Sequence, residues 1–131
     1  MLSGALPIAD GRADNPGESW SRVILIQLGL APTDLQVRLE DEEGLIGYAD
    51  FGWGDDVVGE LDGKGKYGIG VDTDPVEAVR IVRHEKRRED RIRGVGREVA
   101  RWEGAHHYRP GVIGQRVRAA MARAAQRRRP A

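Results

Sequence analysis

The chain has 131 residues, of which 40% are hydrophobic and 32% charged, and it contains no cysteine. This length suits one domain with its own core and excludes two ordinary domains. The lack of cysteine excludes disulfides and thiolate metal ligands and fits a reducing cytoplasm, so any metal site must use oxygen and imidazole donors. No apolar run approaches the roughly 20 residues of a membrane helix, and no secretory signal opens the chain. We therefore expect a cytoplasmic protein without a membrane partner.

The formal net charge of zero conceals an uneven distribution. Residues 1–75 carry 15 acidic and 5 basic side chains, whereas residues 76–131 carry 6 acidic and 16 basic ones. A protein that binds a metal ion beside a polyanion needs both an acidic pocket and a basic surface. On charge alone, the simpler explanation is that acidic loops and basic helices attract each other.

The amino-terminal part predicts a helix after a flexible lead-in. Residues 1–14 show no periodic pattern, and apolar residues then recur at helical spacing over residues 16–28. Asn15 can cap this helix, Pro16 suits its first position, and Glu18 falls where a capping-box carboxylate reaches back. In that interpretation Glu18 has only a structural role.

Three strands are predicted next, near residues 35–40, 46–53 and 57–62. The first alternates apolar and polar residues, and acidic or glycine-containing turns separate it from the second and the second from the third. A meander of three strands is the most economical arrangement.

The remaining elements are two helices with a strand between them. Asp74, as a cap before Pro75, begins a helix that runs to about Val95. A short strand follows at residues 98–102, and Pro110 begins the last helix. The predicted order is α-β-β-β-α-β-α, a mixed α/β domain over residues 15–126 with a frayed basic tail at residues 127–131.

Acidic side chains collect at the third predicted strand and its exit. Because side chains alternate along a strand, Glu60 and Asp62 share one face, and Lys64 follows them if the chain stays extended. Asp50 ends the preceding strand and lies beside Glu60 in a meander. Neighbouring carboxylates are costly without a cation, and hard oxygen ligands match Mg²⁺ or Mn²⁺.

These features resemble the PD-(D/E)XK nucleases, whose core order is α-β-β-β-α-β. The chain would add a carboxy-terminal helix to that restriction-endonuclease-like core. The nearer resemblance is to very-short-patch-repair-type endonucleases and their bacterial relatives, including the carboxy-terminal region of AbiEi-type antitoxin proteins. The resemblance covers about residues 15–103. Its matching stretches are Pro16-Gly17-Glu18-Ser19, Ala49-Asp50-Phe51, Gly59-Glu60-Leu61-Asp62-Gly63, Lys66-Tyr67 and Glu85-Lys86-Arg87-Arg88-Glu89-Asp90.

The resemblance implies a metal site for Mg²⁺ or Mn²⁺. Asp50 and Glu60 would be ligands, and the backbone carbonyl of Leu61 would be a third. Glu18 would approach the ion through water or assist a second ion. These assignments come from the resemblance.

The resemblance also implies a lysine that orients the attacking water and stabilises the charge that develops on the phosphate. Asp62 stands where the superfamily has its lysine, so that function must come from further along the chain. Lys64 follows the strand alternation, whereas Lys66 with Tyr67 matches the family pattern, and we favour Lys66. The candidate catalytic set is Glu18, Asp50, Glu60, Asp62, Lys64 and Lys66.

The helix after Pro75 borders the cleft in that superfamily, so it is the candidate nucleic-acid surface. Lys86, Arg87 and Arg88 are the candidate phosphate-binding residues. They are interspersed with acidic residues, and intrahelical ion pairs are the simpler explanation for about half of these charges.

Other patterns favour structural roles. Gly63 to Gly68 match G-x-G-x-x-G, but no helix opens directly after them, which argues against a dinucleotide site. His106 and His107 lack a partner at ligand spacing and favour a surface or capping role, and His84 is expected in solvent. The three tryptophans are expected mainly in the core: Trp20, Trp53 and Trp102.

Three functions remain open. The first is a Mg²⁺-dependent endonuclease that cuts DNA by water attack. The second is an inactive nuclease-like domain that binds DNA, or a toxin or regulatory partner, in an antitoxin system, with a homodimer as one possible assembly. The third is a protein-interaction domain that has kept the fold and lost the ion.

Overall fold

The structure is a computed structural model that describes residues 15–62 and 74–128. The lead-in predicted for residues 1–14 and the last three residues of the predicted tail lie outside the described residues. None of the helices in the two described ranges has both the length and the apolar character needed to span a bilayer.

The described elements follow the predicted order. Strands β1 (Asp34–Asp41), β2 (Gly44–Trp53) and β3 (Val57–Asp62) form an antiparallel meander. Strand β4 (Glu98–Glu103) pairs with β3 in parallel, so the sheet order is β1-β2-β3-β4. The expected mixed α/β class and all four expected strands are confirmed. The elements are α1 (Pro16–Gln27), β1 (Asp34–Asp41), β2 (Gly44–Trp53), β3 (Val57–Asp62), α2 (Pro75–Gly94), β4 (Glu98–Glu103), a 3-10 helix (Gly104–Tyr108) and α3 (Pro110–Arg127).

Local sequence explains where the first two helices begin. The Asn15 carboxamide oxygen accepts hydrogen bonds from the backbone N–H groups of Gly17 and Glu18, at 2.8 and 3.3 Å. The Asp74 carboxylate accepts one from the Val76 N–H at 2.9 Å. Each cap precedes a proline, which suits the first helical position because it has no N–H to leave unpaired.

Helices cover both faces of the sheet. Helices α1 and α3 pack on one face, around Phe51 and Trp102, whose rings stack with their centroids 5.7 Å apart. Helix α2 packs on the other face, where Ile92 joins Val58 and Val99. This arrangement confirms that the Pro75 helix flanks the sheet, opposite the first helix.

The tryptophans divide between core and surface. Trp53 and Trp102 are buried as expected. The expectation is wrong for Trp20, which is 42% exposed and stacks on His107, with ring centroids 4.5 Å apart. Helical spacing placed Trp20 near the apolar stripe of α1, but its ring lies against the 3-10 helix at the edge of that stripe.

At one residue pair of β1 and β2, the apolar side chains switch from one face of the sheet to the other. Leu35 packs in the core on the α1 and α3 side of the sheet, here called the first cluster, and Val37 packs in the core on the α2 side, the second cluster. Residues two apart in a strand normally share a face. On β2, Phe51 and Ala49 divide between the clusters in the same way. Between Leu35 and Val37, Gln36 has a φ of 49°, and it is the non-glycine residue with positive φ in the described part of the chain.

Candidate functional site

At this residue pair, the amide nitrogen of Gln36 contacts two carboxylates, those of Glu18 and Asp50. Gln36 Nε2 donates to Glu18 Oε1 at 3.1 Å and to Asp50 Oδ1 at 3.5 Å. Glu18 comes from the first turn of α1, and Asp50 lies on β2 between the two residues that divide between the clusters. We call Glu18 and Asp50 the acid pair. Side chains from three elements thus meet at this rung of the sheet.

The second oxygen of Asp50 links β2 to β3 through a hydrogen bond. The Leu61 backbone N–H donates to Asp50 Oδ2 at 2.9 Å. The paired register of the two strands runs from Trp53–Val57 to Phe51–Gly59. The next opposed residues are Asp50 and Glu60. Beyond the paired register, the Asp50 side chain accepts the hydrogen bond from the Leu61 N–H. The Leu61 group that contacts Asp50 is the backbone N–H, whereas the expected metal ligand is the Leu61 carbonyl.

Glu60 is buried and held by two arginines. Its side chain is 2% exposed, and Arg88 of α2 donates from Nη2 to Oε2 at 2.6 Å and from Nη1 to Oε1 at 3.0 Å. Arg101 Nη2 of β4 lies 3.3 Å from Oε1. A guanidinium fork matched to both carboxylate oxygens is among the strongest ion-pair geometries in proteins.

The same arginines extend the contact into a larger network. Arg101 Nη2 lies 2.6 Å from Glu85 Oε1, and Arg88 Nη1 lies 3.4 Å from the same atom. Arg101 Nη1 is 3.9 Å from Asp62 Oδ2, as expected if Glu60 and Asp62 share a face of β3. Glu60, which is buried, and the half-buried Glu85, Arg88 and Arg101 thus form one charge network. It joins α2 to the two strands that pair in parallel.

The electrostatics of Arg88 combine opposing effects. Burial acts to lower the pKa of its guanidinium, but the hydrogen bonds and charge of Glu60, with the charge of Glu85, leave that pKa raised above its ordinary value. Arg88 therefore contributes a fixed positive charge next to Glu60.

The candidate phosphate-binding residues of α2 all have acidic neighbours. Lys86 Nζ lies 3.6 Å from Asp90 Oδ1, and Arg87 Nη2 lies 2.9 Å from Glu43 Oε1, both on the surface. Arg88 points inward to Glu60. The intrahelical pairing expected as the simpler explanation is present for Lys86, and the pairing of Arg87 crosses to the β1–β2 turn.

The lysines expected to act in catalysis, Lys64 and Lys66, lie outside the described residues, as does the glycine-rich stretch Gly63 to Gly68. Within residues 15–62 and 74–128, no three histidine or carboxylate side chains converge so as to hold a metal ion. The donor chemistry of the acid pair nevertheless fits a hard divalent cation, because both members supply carboxylate oxygens. Gln36 Nε2 donates to one oxygen of each. Glu60 fits less directly, because guanidinium nitrogens contact both of its oxygens in this arrangement.

The two adjacent histidines differ. His106 Nδ1 accepts from the Glu103 N–H at 2.9 Å, which confirms its capping role. For His107 that expectation is wrong: the side chain is buried, and Nε2 lies 2.7 Å from Ser21 Oγ, which also accepts from Trp102 Nε1 at 2.9 Å. Burial, and then the nearby charge of His106, lower the pKa of His107. This cluster ties α1 to β4.

Sequence reasoning missed Gln36, Glu85 and Arg101 as site residues. Arg101 had a detectable signal, since it is the charged residue between Ala100 and Trp102 on a short apolar strand and so had to face a carboxylate or solvent. Glu85 appeared only within a charged helical stretch. Gln36 read as an ordinary outward residue of an alternating strand, and nothing in its neighbours signalled the left-handed backbone.

Comparison with protein-family models, with curated proteins and with solved structures found no match for this chain.

Proposed function

We propose that this domain is a nuclease of the PD-(D/E)XK type that hydrolyses phosphodiester bonds in DNA with the help of Mg²⁺ or Mn²⁺. The observation that carries the proposal is the approach of Glu18 and Asp50 to the single amide nitrogen of Gln36. A charged helix-start residue that shares a strand side chain with a second carboxylate is better explained by a site than by capping.

The element order supports the same proposal. Helix α1, the meander of β1 to β3, helix α2 and the parallel strand β4 follow the α-β-β-β-α-β order of the core that the sequence resembles. In that core the acidic cluster belongs to the second and third strands, where Asp50 and Glu60 lie here. The element order supports the fold of that core, and the acid pair supports metal-dependent chemistry at its site.

Each residue of the site has a role in this proposal. Asp50, the Leu61 carbonyl and Glu60 would bind the cation, and Glu18 would assist through water. The cation would lower the pKa of a bound water and polarise the phosphate. Lys66, or alternatively Lys64, would orient the attacking water and donate to the phosphate oxygens.

Calorimetric titration with Mn²⁺ and plasmid nicking in Mg²⁺ test this proposal. Asp50→Asn is expected to abolish both Mn²⁺ binding and nicking, since it removes a charged ligand. Asp55→Asn is the matched control, because it makes the same chemical change at an exposed turn at the end of the same strand. Equal Mn²⁺ binding by the unmutated protein and Asp50→Asn would remove the metal site from the proposal.

A second candidate, a nuclease-like domain that binds DNA or a partner protein without cutting, is favoured by one observation. Arg88 and Arg101 neutralise Glu60, so this residue has cationic partners without a metal ion. The same titration and nicking experiment separates the two candidates. Retarded migration of plasmid DNA in a gel-shift assay, with neither Mn²⁺ binding nor nicking, would support the non-cutting domain.

A further inference from the structure

The backbone of β1 is strained at Gln36. Left-handed values of φ bring Cβ close to the following carbonyl oxygen, and only glycine, asparagine and aspartate visit them routinely. Glutamine has no such local advantage, because its carboxamide is one methylene further from the backbone. Strain of this kind persists where the surrounding structure holds it in place, and it clusters at functional sites.

The strained conformation determines where the Gln36 side chain lies. Because Leu35 and Val37 pack into opposite clusters, the residue between them does not follow the usual alternation. The half-buried side chain of Gln36 reaches both α1 and β2, and its amide nitrogen contacts Glu18 and Asp50. A regular strand would not need this conformation, because ordinary backbone angles and alternation would satisfy the sheet hydrogen bonds.

The contact of Gln36 with Glu18 joins the first turn of α1 to the edge strand β1. Helix α1 makes its main contacts with the sheet through Ile24 and Leu25, two turns further along. Glu18 lies half-buried in the first turn of this helix. A hydrogen bond at 3.1 Å directs its carboxylate to Gln36 Nε2, the same nitrogen that lies 3.5 Å from Asp50 Oδ1.

We infer that Gln36 is a positioning residue, which holds Glu18 of the first helix against Asp50 so that both carboxylates face one cation. The inference rests on the proposed function and adds to it a residue outside the acidic set. Gln36 acts through Glu18, and it acts before any cation arrives.

The test combines substitutions at residue 36 with Glu18→Gln. Gln36→Gly accepts the left-handed backbone and removes the amide, and Gln36→Asn keeps a shorter amide that falls short of Glu18. Each variant is made alone and in the Glu18→Gln background. Mn²⁺ affinity is measured by calorimetry, and the urea midpoint is measured without metal.

Both variants are expected to weaken Mn²⁺ binding by about tenfold, the lower end of what residues that orient a metal ligand contribute. In the Glu18→Gln background, neither should weaken it further. Gln36→Gly should unfold at a urea concentration equal to or above that of the unmutated protein, because it relieves the strain. A residue with a merely structural role would lower the midpoint and leave Mn²⁺ affinity intact.

Two results would count against the inference in different ways. Mn²⁺ binding that is indifferent to residue 36, or that weakens equally with and without Glu18, overturns the inference and leaves the proposed function standing. Absence of Mn²⁺ binding by the unmutated protein overturns the proposed function and the inference together.

Discussion

Glu60 and Arg88 meet in a two-bond ion pair between strand β3 and helix α2, with oxygen–nitrogen distances of 2.6 and 3.0 Å. The carboxylate is 2% exposed and the guanidinium 17%. Such a pair adds little when compared with well-packed apolar residues, but removal of one member leaves a buried charge behind. The pair therefore fixes how α2 lies on the sheet.

Replacement of Arg88 should destabilise the fold strongly. Arg88→Met leaves Glu60 buried with Arg101 as its remaining described cation, and we expect a loss of about 3 kcal/mol in the free energy of unfolding. Urea unfolding measures it. Arg87→Met is the matched control on the preceding residue of α2, where the pair with Glu43 is exposed, and it should cost less than about 1 kcal/mol. Equal losses in the two variants would show that burial of the Glu60 pair does not matter.

The buried histidine predicts how stability depends on pH. Because the fold lowers the pKa of His107, the unfolded chain binds the proton more readily than the folded protein does. Stability is then fully present above the unfolded pKa of about 6.5, and it falls as the pH drops from there through the lowered folded pKa.

Thermal unfolding at a series of pH values between 5 and 8 checks this dependence. His107→Gln should reduce the slope below about pH 6.5, whereas His84→Gln, at an exposed position of α2, should leave it as in the unmutated protein. If the dependence of stability on pH is the same in His107→Gln as in the unmutated protein, other titrating groups cause the loss of stability in acid.

Gly59 allows two tryptophans to approach β3. A Cβ on this residue would lie 2.8 Å from Trp53 Cζ3 and 3.0 Å from Trp102 Cη2. These rings belong to a packed core that cannot shift freely, so Gly59→Ala should destabilise the protein by about 1–3 kcal/mol in urea unfolding, the usual cost of overpacking. Gly94→Ala, where a Cβ meets no atom within 4 Å, should be neutral or slightly stabilising. A stable Gly59→Ala protein would mean that the rings repack.

The lysine prediction separates an enzyme from an inactive relative. Lys66→Ala should reduce Mg²⁺-dependent nicking by about a hundredfold or more, since it removes a charged donor aimed at the transition state. Lys64→Ala should reduce the rate only mildly. The opposite ranking would favour the lysine that follows the strand alternation.

Much of the fold could be predicted from local chemistry. Asn15 and Asp74 mark helix starts because a cap side chain accepts hydrogen bonds from the backbone N–H groups that follow it directly in the chain. This interaction does not depend on distant residues. The alternation of Val58 and Glu60 with Gly59 and Leu61 likewise assigns the faces of β3, since a strand has a fixed period of two.

The partners of the acidic residues could not be predicted in the same way. The Arg88–Glu60 pair joins residues 28 positions apart, and any of several arginines on α2 satisfies the sequence pattern equally well. The left-handed backbone at Gln36 depends on which cluster Leu35 and Val37 each join, and this is decided only when both layers of helices pack. Local patterns therefore located the carboxylates and left their contacts undetermined.

The parallel pairing of β3 with β4 has a consequence for how the protein folds during synthesis. The chain emerges from the ribosome amino terminus first, so the meander that carries Glu60 is exposed before Arg88 and Arg101 have been made. The emerging segment carries the excess of acidic residues, and the basic segment that follows supplies the counter-charges. Helix α2 supplies Arg88 to Glu60 first, and β4 then completes the four-stranded sheet and adds Arg101.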